Sequence, residues 1–348
     1  MEGRFVRACR RETVDATPVW FMRQAGRSFA GYRKLRESHG ILELAKDPGL
    51  CAEVTLMPVR ELGVDAAVIF ADIMLPLEPM GVGLRIEPEI GPIIDRPIRT
   101  AADVDAIGAF DPTGVSFTLD AIRLVRRELD GKAGVIGFSG APFTLACYLI
   151  EGRPSREYAM AKAFMYRYPS AWHGLMDRLS TMVVSYLRAQ VDAGADVVQL
   201  FDTWVGGLGP ADYREFVQRH VRRIFDSLSD VPTIHFGTGT GALLEDMAAA
   251  GGDLIGLDHR VDLRDAWRRI GFARGVQGNL DAARLLAGWE ATRTGALTVL
   301  EAAAGRPGHV FNLGHGVLPD TDTDLLRRLV DLVHEETART RPVAEVAV

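Results

Sequence analysis

The sequence predicts an α/β protein: one parallel (β/α)₈ barrel carrying extra helices and a small hairpin excursion. Three observations point to it. Eight short apolar runs, rich in β-branched and aromatic residues, recur along the 348 residues. Stretches of helical periodicity separate them, and no linker-like, repeated or low-complexity segment divides the chain. Strands and helices that alternate in this way build parallel sheets with crossover helices.

Taken in order, the strand series opens with Val19–Met22, where a valine and two aromatics follow Pro18. It continues with Ala67–Phe70, Gly134–Phe138, Val197–Phe201, Thr233–Phe236, Leu254–Leu257, Arg274–Gln277 and Val310–Leu313. Helical patterns fall at Pro48–Leu62, Phe117–Leu129, Thr144–Ile150, Tyr158–Ala193, Ala211–Leu228, Ala242–Ala249, Leu263–Arg269, Ala282–Ala303 and Asp322–Thr340. Leu84–Ile98, rich in isoleucine and proline, reads as the hairpin excursion after the second strand. Residues 1–340 are expected to form a single domain and Arg341–Val348 a loose tail. An open doubly wound sheet fits the same alternation, because periodicity does not distinguish a closed sheet from an open one.

Composition narrows the function. The chain is 47% hydrophobic and 25% charged, with mean hydropathy +0.05, and contains no apolar run long enough to span a bilayer. Met1–Arg11 is charged and lacks the apolar stretch of a secretory signal. Cys9, Cys51 and Cys147 are odd in number, far apart and outside any CxxC unit, which argues for the cytoplasm and against a disulfide framework or a structural zinc. Net charge is −6 with pI near 5.8, so no basic field exists for nucleic acid. An anionic small molecule must therefore be caught by local arginines.

In a barrel, chemistry is carried at the C-terminal ends of the strands. Those ends present Arg23 and Arg27, then Asp72, Ser139–Pro142, Asp202 and Thr203, His235 and Thr238, Asp258 and His259, Asn279, and His315. If the chain turns helical after the first strand, Arg23 and Arg27 lie four apart on one face, where two planar guanidinium forks can grip a carboxylate or phosphate between them. Two ordinary surface arginines would have the same spacing. No strand end carries a lysine, which removes Schiff-base chemistry. The G-T-G-T-G run at Gly237–Gly241 is a weak phosphate signal, since glycines after a barrel strand commonly just make a turn.

Two of these stretches, P-V-W-F-M-R-Q-A-G-R at Pro18–Arg27 and G-F-S-G-A-P-F-T-L-A-C-Y-L-I-E-G at Gly137–Gly152, resemble signatures of the uroporphyrinogen decarboxylase family. T-L-M-P-V-R at Thr55–Arg60, D-A-A-V-I-F-A-D-I at Asp65–Ile73, Q-L-F-D-T-W-V-G at Gln199–Gly206 and N-L-G-H-G at Asn312–Gly316 agree with it, so the resemblance runs from about Phe5 to Val333. It implies a cofactor-free (β/α)₈ enzyme, a homodimer, that removes CO₂ from the four acetate arms of uroporphyrinogen III to give coproporphyrinogen III. It also implies roles. Asp72 would accept hydrogen bonds from pyrrole N–H groups. Arg23 and Arg27 would bind substrate carboxylates, one of them taking part in proton delivery, with Gln24, Ala25 and Gly26 as a backbone cradle between them. Tyr148 would reach an acetate or Asp72, Thr203 would donate to a propionate or acetate, and His315 would bind a carboxylate. Read without the resemblance, Asp72 serves equally as a helix N-cap, Tyr148 as a half-buried helix tyrosine, and His315 as a loop histidine. Phe21, Ile73, Met74 and Phe201 supply either apolar walls for a macrocycle or plain barrel core. Ala71 and His259 depart from the family pattern, where serine and tryptophan are expected; neither change removes a charge.

Two other functions fit the same fold. A zinc-dependent corrinoid methyltransferase would need a His-x-Cys near the fifth strand and a later thiol, yet the sequence there is His235–Phe236–Gly237 and no cysteine follows Cys147. A non-catalytic tetrapyrrole carrier would keep the arginines and have no use for Asp72. The expectation is therefore an enzyme that needs no metal or organic cofactor.

Overall fold

The computed structural model describes residues 2–26, 28–87 and 90–339. Among the described residues nine strands are formed: β1 (Ala66–Val68), β2 (Leu84–Glu87), β3 (Gly91–Ile94), β4 (Gly134–Gly140), β5 (Val197–Asp202), β6 (Thr233–Gly237), β7 (Leu254–Gly256), β8 (Gly275–Gln277) and β9 (His309–Val310). Seven of them make one parallel sheet in the order β1-β4-β5-β6-β7-β8-β9, while β2 and β3 pair antiparallel as the expected hairpin. Parallel strands need crossovers, and each gap between successive sheet strands carries at least one helix.

The eighth position of the ring belongs to the Pro18–Met22 segment. Its backbone joins β9 through Trp20 N–H to Phe311 C=O (3.3 Å) and Phe311 N–H to Pro18 C=O (2.9 Å), and it joins the other free edge through Asp65 N–H to Val19 C=O (2.8 Å). Val19 and Phe311 form a parallel bridge. Asp65 adds a side-chain acceptor for the Val19 N–H at 2.7 Å. The ring is thereby closed, which rules out the doubly wound sheet. The segment pairs too briefly to be a strand, so the first expected strand is present in place but not in length.

Several helical boundaries differ from the sequence expectation, each for a local reason. The Tyr158–Ala193 stretch is two helices, Ala159–Arg167 and Pro169–Ala193, because Pro169 has no N–H to continue the first and suits the first turn of the second. Ala282–Ala303 breaks at Gly288, whose φ of +93° is open to glycine, into Ala283–Leu286 and Trp289–Ala303. Ala211–Leu228 divides at Val217. Pro48–Leu62 matches the expectation: Asp47 caps it by accepting the Leu50 N–H, Pro48 starts it, and Gly63 at φ +72° ends it. Short helices at Arg4–Cys9, Ala30–Ser38, Ile41–Lys46 and Ala101–Asp105 carried too few turns to show a period. The tail expected at Arg341–Val348 lies outside the described residues. Among the described residues, no helix is long and apolar enough to cross a membrane.

Side chains alternate along each strand, so every second residue fills the barrel. At mid-height the filling is polar and linked by hydrogen bonds. Trp20 Nε1–H donates to Gln277 Oε1 (2.9 Å), and Gln277 Nε2 donates to Gln199 Oε1 (3.1 Å). Above this layer Phe138, Phe201 and Phe236 meet edge to face, with ring centroids 5.3 and 5.9 Å apart across the Phe201 ring. They form an apolar floor at the C-terminal mouth of the barrel.

Candidate active site

Immediately after the Pro18–Met22 segment the chain reverses instead of entering a helix. Arg23 takes a left-handed φ of +57°, a conformation that a side chain with a Cβ adopts only when its surroundings hold it there. Arg23 is therefore not on a helix, and the next helix starts only at Ala30. Arg27 itself lies outside the described residues.

Gln24 is what holds the reversal. It is fully buried; its Oε1 accepts the Phe21 N–H (3.0 Å) and its Nε2 donates to the Ala66 C=O on β1 (2.9 Å). Its own N–H is spent on the Phe21 C=O (3.0 Å). Gln24 is thus a brace between the turn and the sheet, which corrects the expectation of a substrate cradle at that position. Ala25 and Gly26 remain half-buried, and their N–H groups have no acceptor among the described residues.

The N-L-G-H-G motif secures the turn from the opposite side. Met22 N–H donates to Asn312 Oδ1 (3.1 Å), and Met22 C=O accepts from Val317 N–H (2.9 Å). The Arg23 side chain lies flat on Gly316: a methyl group there would stand 2.5 Å from Arg23 Cδ. A methyl on Gly314 would collide with the His259 backbone. Both glycines are therefore required by close approach of neighbouring loops.

Asp72 follows β1. Thr55, buried in the Pro48–Leu62 helix, accepts the Phe70 N–H (2.9 Å) and fixes the strand's exit. Asp72 Oδ1 accepts the Met74 N–H (2.8 Å), which closes a turn two residues on but caps no helix, since the short helix Leu75–Met80 starts from Met74 without a side-chain cap. The other oxygen has no donor among the described residues. Burial pushes the Asp72 carboxyl above its ordinary value, while the Met74 N–H and the Arg23 charge offset part of that rise.

Tyr148, on the helix Pro142–Glu151, completes this corner. Burial first, and then the Asp72 charge, raise its phenol well above the ordinary value, so it stays protonated and can donate. Its ring lies against Trp204 with centroids 4.0 Å apart, and Tyr158 stacks on Trp204 at 4.9 Å. Trp204 thus props Tyr148. It stood in the Q-L-F-D-T-W-V-G block but was not singled out by sequence reasoning. Thr203, half-buried beyond β5, has its C=O bonded by the Thr238 hydroxyl (2.5 Å), and its own hydroxyl has no partner among the described residues.

His315 is solvent-accessible, and its Nδ1 accepts the Gly316 N–H at 2.7 Å, which leaves the proton on Nε2. Partial loss of water in the cleft, then the charges of Arg23, His259 and Arg260, push its pKa below 6.5, with Asp258 opposing. The imidazole is accordingly neutral at pH 7. Ile73 and Phe201 are partly exposed at the mouth, whereas Phe21 and Met74 are sealed in the core and line nothing. Of the expected residues, Arg23 acts electrostatically on Asp72, Tyr148 and His315, and Asp72 acts on Tyr148.

The glycine run after β6 is not an anion cradle. Gly239 N–H donates to the carboxylate of Asp258 (2.6 Å), so the amide that a phosphate would need is already taken. His235, the position where a metal ligand was considered, is fully buried on the helix side of β6 against Phe225 (centroids 5.1 Å).

Comparison with known proteins gives the family. A family model described as uroporphyrinogen decarboxylase (URO-D) matches residues 2–336. A protein named uroporphyrinogen decarboxylase from Sorangium cellulosum is 54% identical over 96% of this chain and 96% of its own length. One of the same name from Streptomyces coelicolor is 53% identical over 97% of this chain and 96% of its own. Among solved structures, a methyltransferase from Methanosarcina mazei superposes with TM-score 0.80 at 21% identity, covering 97% of this chain and 99% of that one, a likeness of fold alone.

Proposed function

The chain belongs to the uroporphyrinogen decarboxylase family, and we propose that Asp72, Arg23, Tyr148 and His315 perform its reaction, the stepwise removal of CO₂ from the four acetate arms of uroporphyrinogen III. The observation that carries this reading is Asp72: a half-buried carboxylate with one oxygen committed to its own turn and the other left to the mouth, faced by a cation and a phenol.

Loss of CO₂ from a pyrrole acetate leaves a carbanion that needs an electron sink. Protonation of the adjacent ring carbon makes the pyrrole an iminium-like cation, which takes up the C–CO₂ bonding pair as CO₂ departs. A second proton then converts the exocyclic methylene to a methyl group, and loss of the proton first added to the ring carbon restores the neutral pyrrole. Asp72 would accept the pyrrole N–H groups and stabilise the positive charge where it develops. Arg23 would hold the departing carboxylate in place with the Ala25 and Gly26 amides, and Arg27, outside the described residues, is expected from the family resemblance to bind a substrate carboxylate as well. Tyr148 would donate to an acetate oxygen, Thr203 to a neighbouring carboxylate, and His315 through Nε2–H to another. The substrate supplies its own electron sink, so none of these steps needs a metal or organic cofactor. A corrinoid methyltransferase of the same fold is disfavoured because the three cysteines are all buried and His235 faces away from the mouth.

Anaerobic incubation with reduced uroporphyrinogen III, followed by oxidation and separation by carboxylate number, tests the reading. Four-carboxylate coproporphyrin is expected; recovery of only the eight-carboxylate compound overturns it. We also read the protein as a cytoplasmic homodimer. Recovery with the membrane fraction, or a sedimentation species of 38.0 kDa alone, would refute that part.

A further inference from the structure

The turn after β7 is built more rigidly than a surface loop needs. Asp258 is 2% exposed, and both its oxygens are occupied: Oδ1 by the Arg260 N–H (3.0 Å), Oδ2 by the Gly239 N–H (2.6 Å) and by Arg260 Nη1 (3.2 Å). From below, Asn279 Nδ2 donates to the carbonyls of Asp258 and Val261, each at 2.8 Å. The product of this bracing is one guanidinium, that of Arg260, whose side chain is 63% exposed. Only Nη1 is engaged; among the described residues Nε and Nη2 have no acceptor, which leaves a free two-donor edge. The turn that carries it packs on the loop of His315: a methyl on Gly314 would collide with the His259 nitrogen and stand 2.9 Å from the Asp258 carbonyl carbon. The guanidinium therefore belongs to the same mouth.

Its place in the ring says what it can reach. Counting Pro18–Met22 as the first stave, β1 with Asp72 is the second and β7 with Arg260 is the sixth, so the two stand across the barrel from each other. A tetrapyrrole whose N–H groups meet Asp72 extends one edge of its rim, with the arms on it, towards Arg260. An exposed guanidinium held by a buried carboxylate takes a second carboxylate as a bidentate partner without first losing rotamer freedom. The same clamp must serve four successive decarboxylations. Acetates disappear one by one, whereas the propionates persist from substrate to product.

We propose that Arg260 binds a propionate arm of the macrocycle at the side of the mouth remote from Asp72, with Asp258 as the positioning residue that aims it. The proposal rests on the decarboxylase reading above, and its test is arranged so that the two fail separately. Wild-type conversion of uroporphyrinogen III secures the reading of function. Arg260→Gln is then compared for KM, kcat and inhibition by added coproporphyrinogen III. Because a propionate is bound equally before, during and after CO₂ loss, KM and the product inhibition constant should rise together by about fivefold, with kcat within about twofold of wild type. Arg260→Lys should recover only part of that loss, since it keeps charge without the fork. Asp258→Asn should raise both constants in the same ratio as each other. Unchanged KM and product inhibition in a folded Arg260→Gln enzyme overturns the proposal, and so does a fall in kcat with product inhibition unchanged, which would assign Arg260 to a reacting acetate.

Discussion

Asp72→Asn separates the two duties of this residue. An amide oxygen can still accept the Met74 N–H at the 2.8 Å now used by Oδ1, so the turn after β1 should survive. The second oxygen becomes an N–H donor facing pyrrole donors, and the negative charge is gone. Loss of one preorganised electrostatic group in a shielded site costs about 2.7–4 kcal/mol, which at 1.36 kcal/mol per decade is a fall in kcat of roughly 100- to 1000-fold. Stability should move the other way. The native carboxyl pKa is raised above its unfolded value, so the folded state disfavours the charged form, and that penalty is fully present above the native pKa. Removing the charge relieves it, and the variant should melt at pH 7 no lower than wild type. The assay is anaerobic product analysis beside thermal denaturation by circular dichroism. A folded Asp72→Asn enzyme within about tenfold of wild-type kcat, or one that melts clearly lower, would refute the reasoning.

Three further outcomes follow from the geometry. Gln24→Ala leaves the Phe21 N–H and the Ala66 C=O unpaired in a sealed site and opens a cavity, so denaturant unfolding should show a loss of about 3 kcal/mol, and an unmoved midpoint would deny the brace. Tyr148→Phe keeps the ring against Trp204 and removes only the donor; kcat should fall about 10- to 100-fold with the melting temperature unchanged, and full activity would return Tyr148 to a packing role. His309, fully buried among Trp267 and Phe311 with Nε2 on the Gly278 C=O, has its pKa pushed down to about 4. The unfolded chain binds a proton there below about pH 6.5 and the native chain does not, so this residue costs stability as pH falls, about 3 kcal/mol by pH 4. His309→Gln should flatten the acid limb of the stability profile; an unaltered limb would place the effect elsewhere.

What could be read from the sequence was whatever has a period or a punctuation mark. The eight staves appeared because β-branched and aromatic runs recur between helical patterns, and Asp72 was found because it follows such a run. Pro169 and Gly288 were visible helix breakers that longer patterns concealed. Arg23 was beyond reach: nothing in a non-glycine residue announces a left-handed backbone, which is imposed here by Gln24 from one side and Asn312 from the other. Gln24 was misassigned for the same reason, since a buried amide and a ligand-facing amide look alike in a string of letters. Arg260 escaped because an Asp-x-Arg turn resembles any surface ion pair until the burial of Asp258 and the support of Asn279 are known.

The closure of the ring by the Pro18–Met22 segment sets a schedule for the ribosome. Met22 is bonded to Asn312, 290 residues downstream, and Arg23 packs on Gly316. At bacterial-to-eukaryotic elongation rates of about 5–20 residues per second, the arginine leaves the peptidyl-transferase centre roughly 15–60 s before its supports are synthesised. Throughout that interval the Pro18–Met22 segment can pair with Asp65 beside β1, but its other edge, which takes Phe311, stays open, and an open apolar edge invites association between neighbouring nascent chains. The residue that opens the active site in sequence is thus among the last to be set in place.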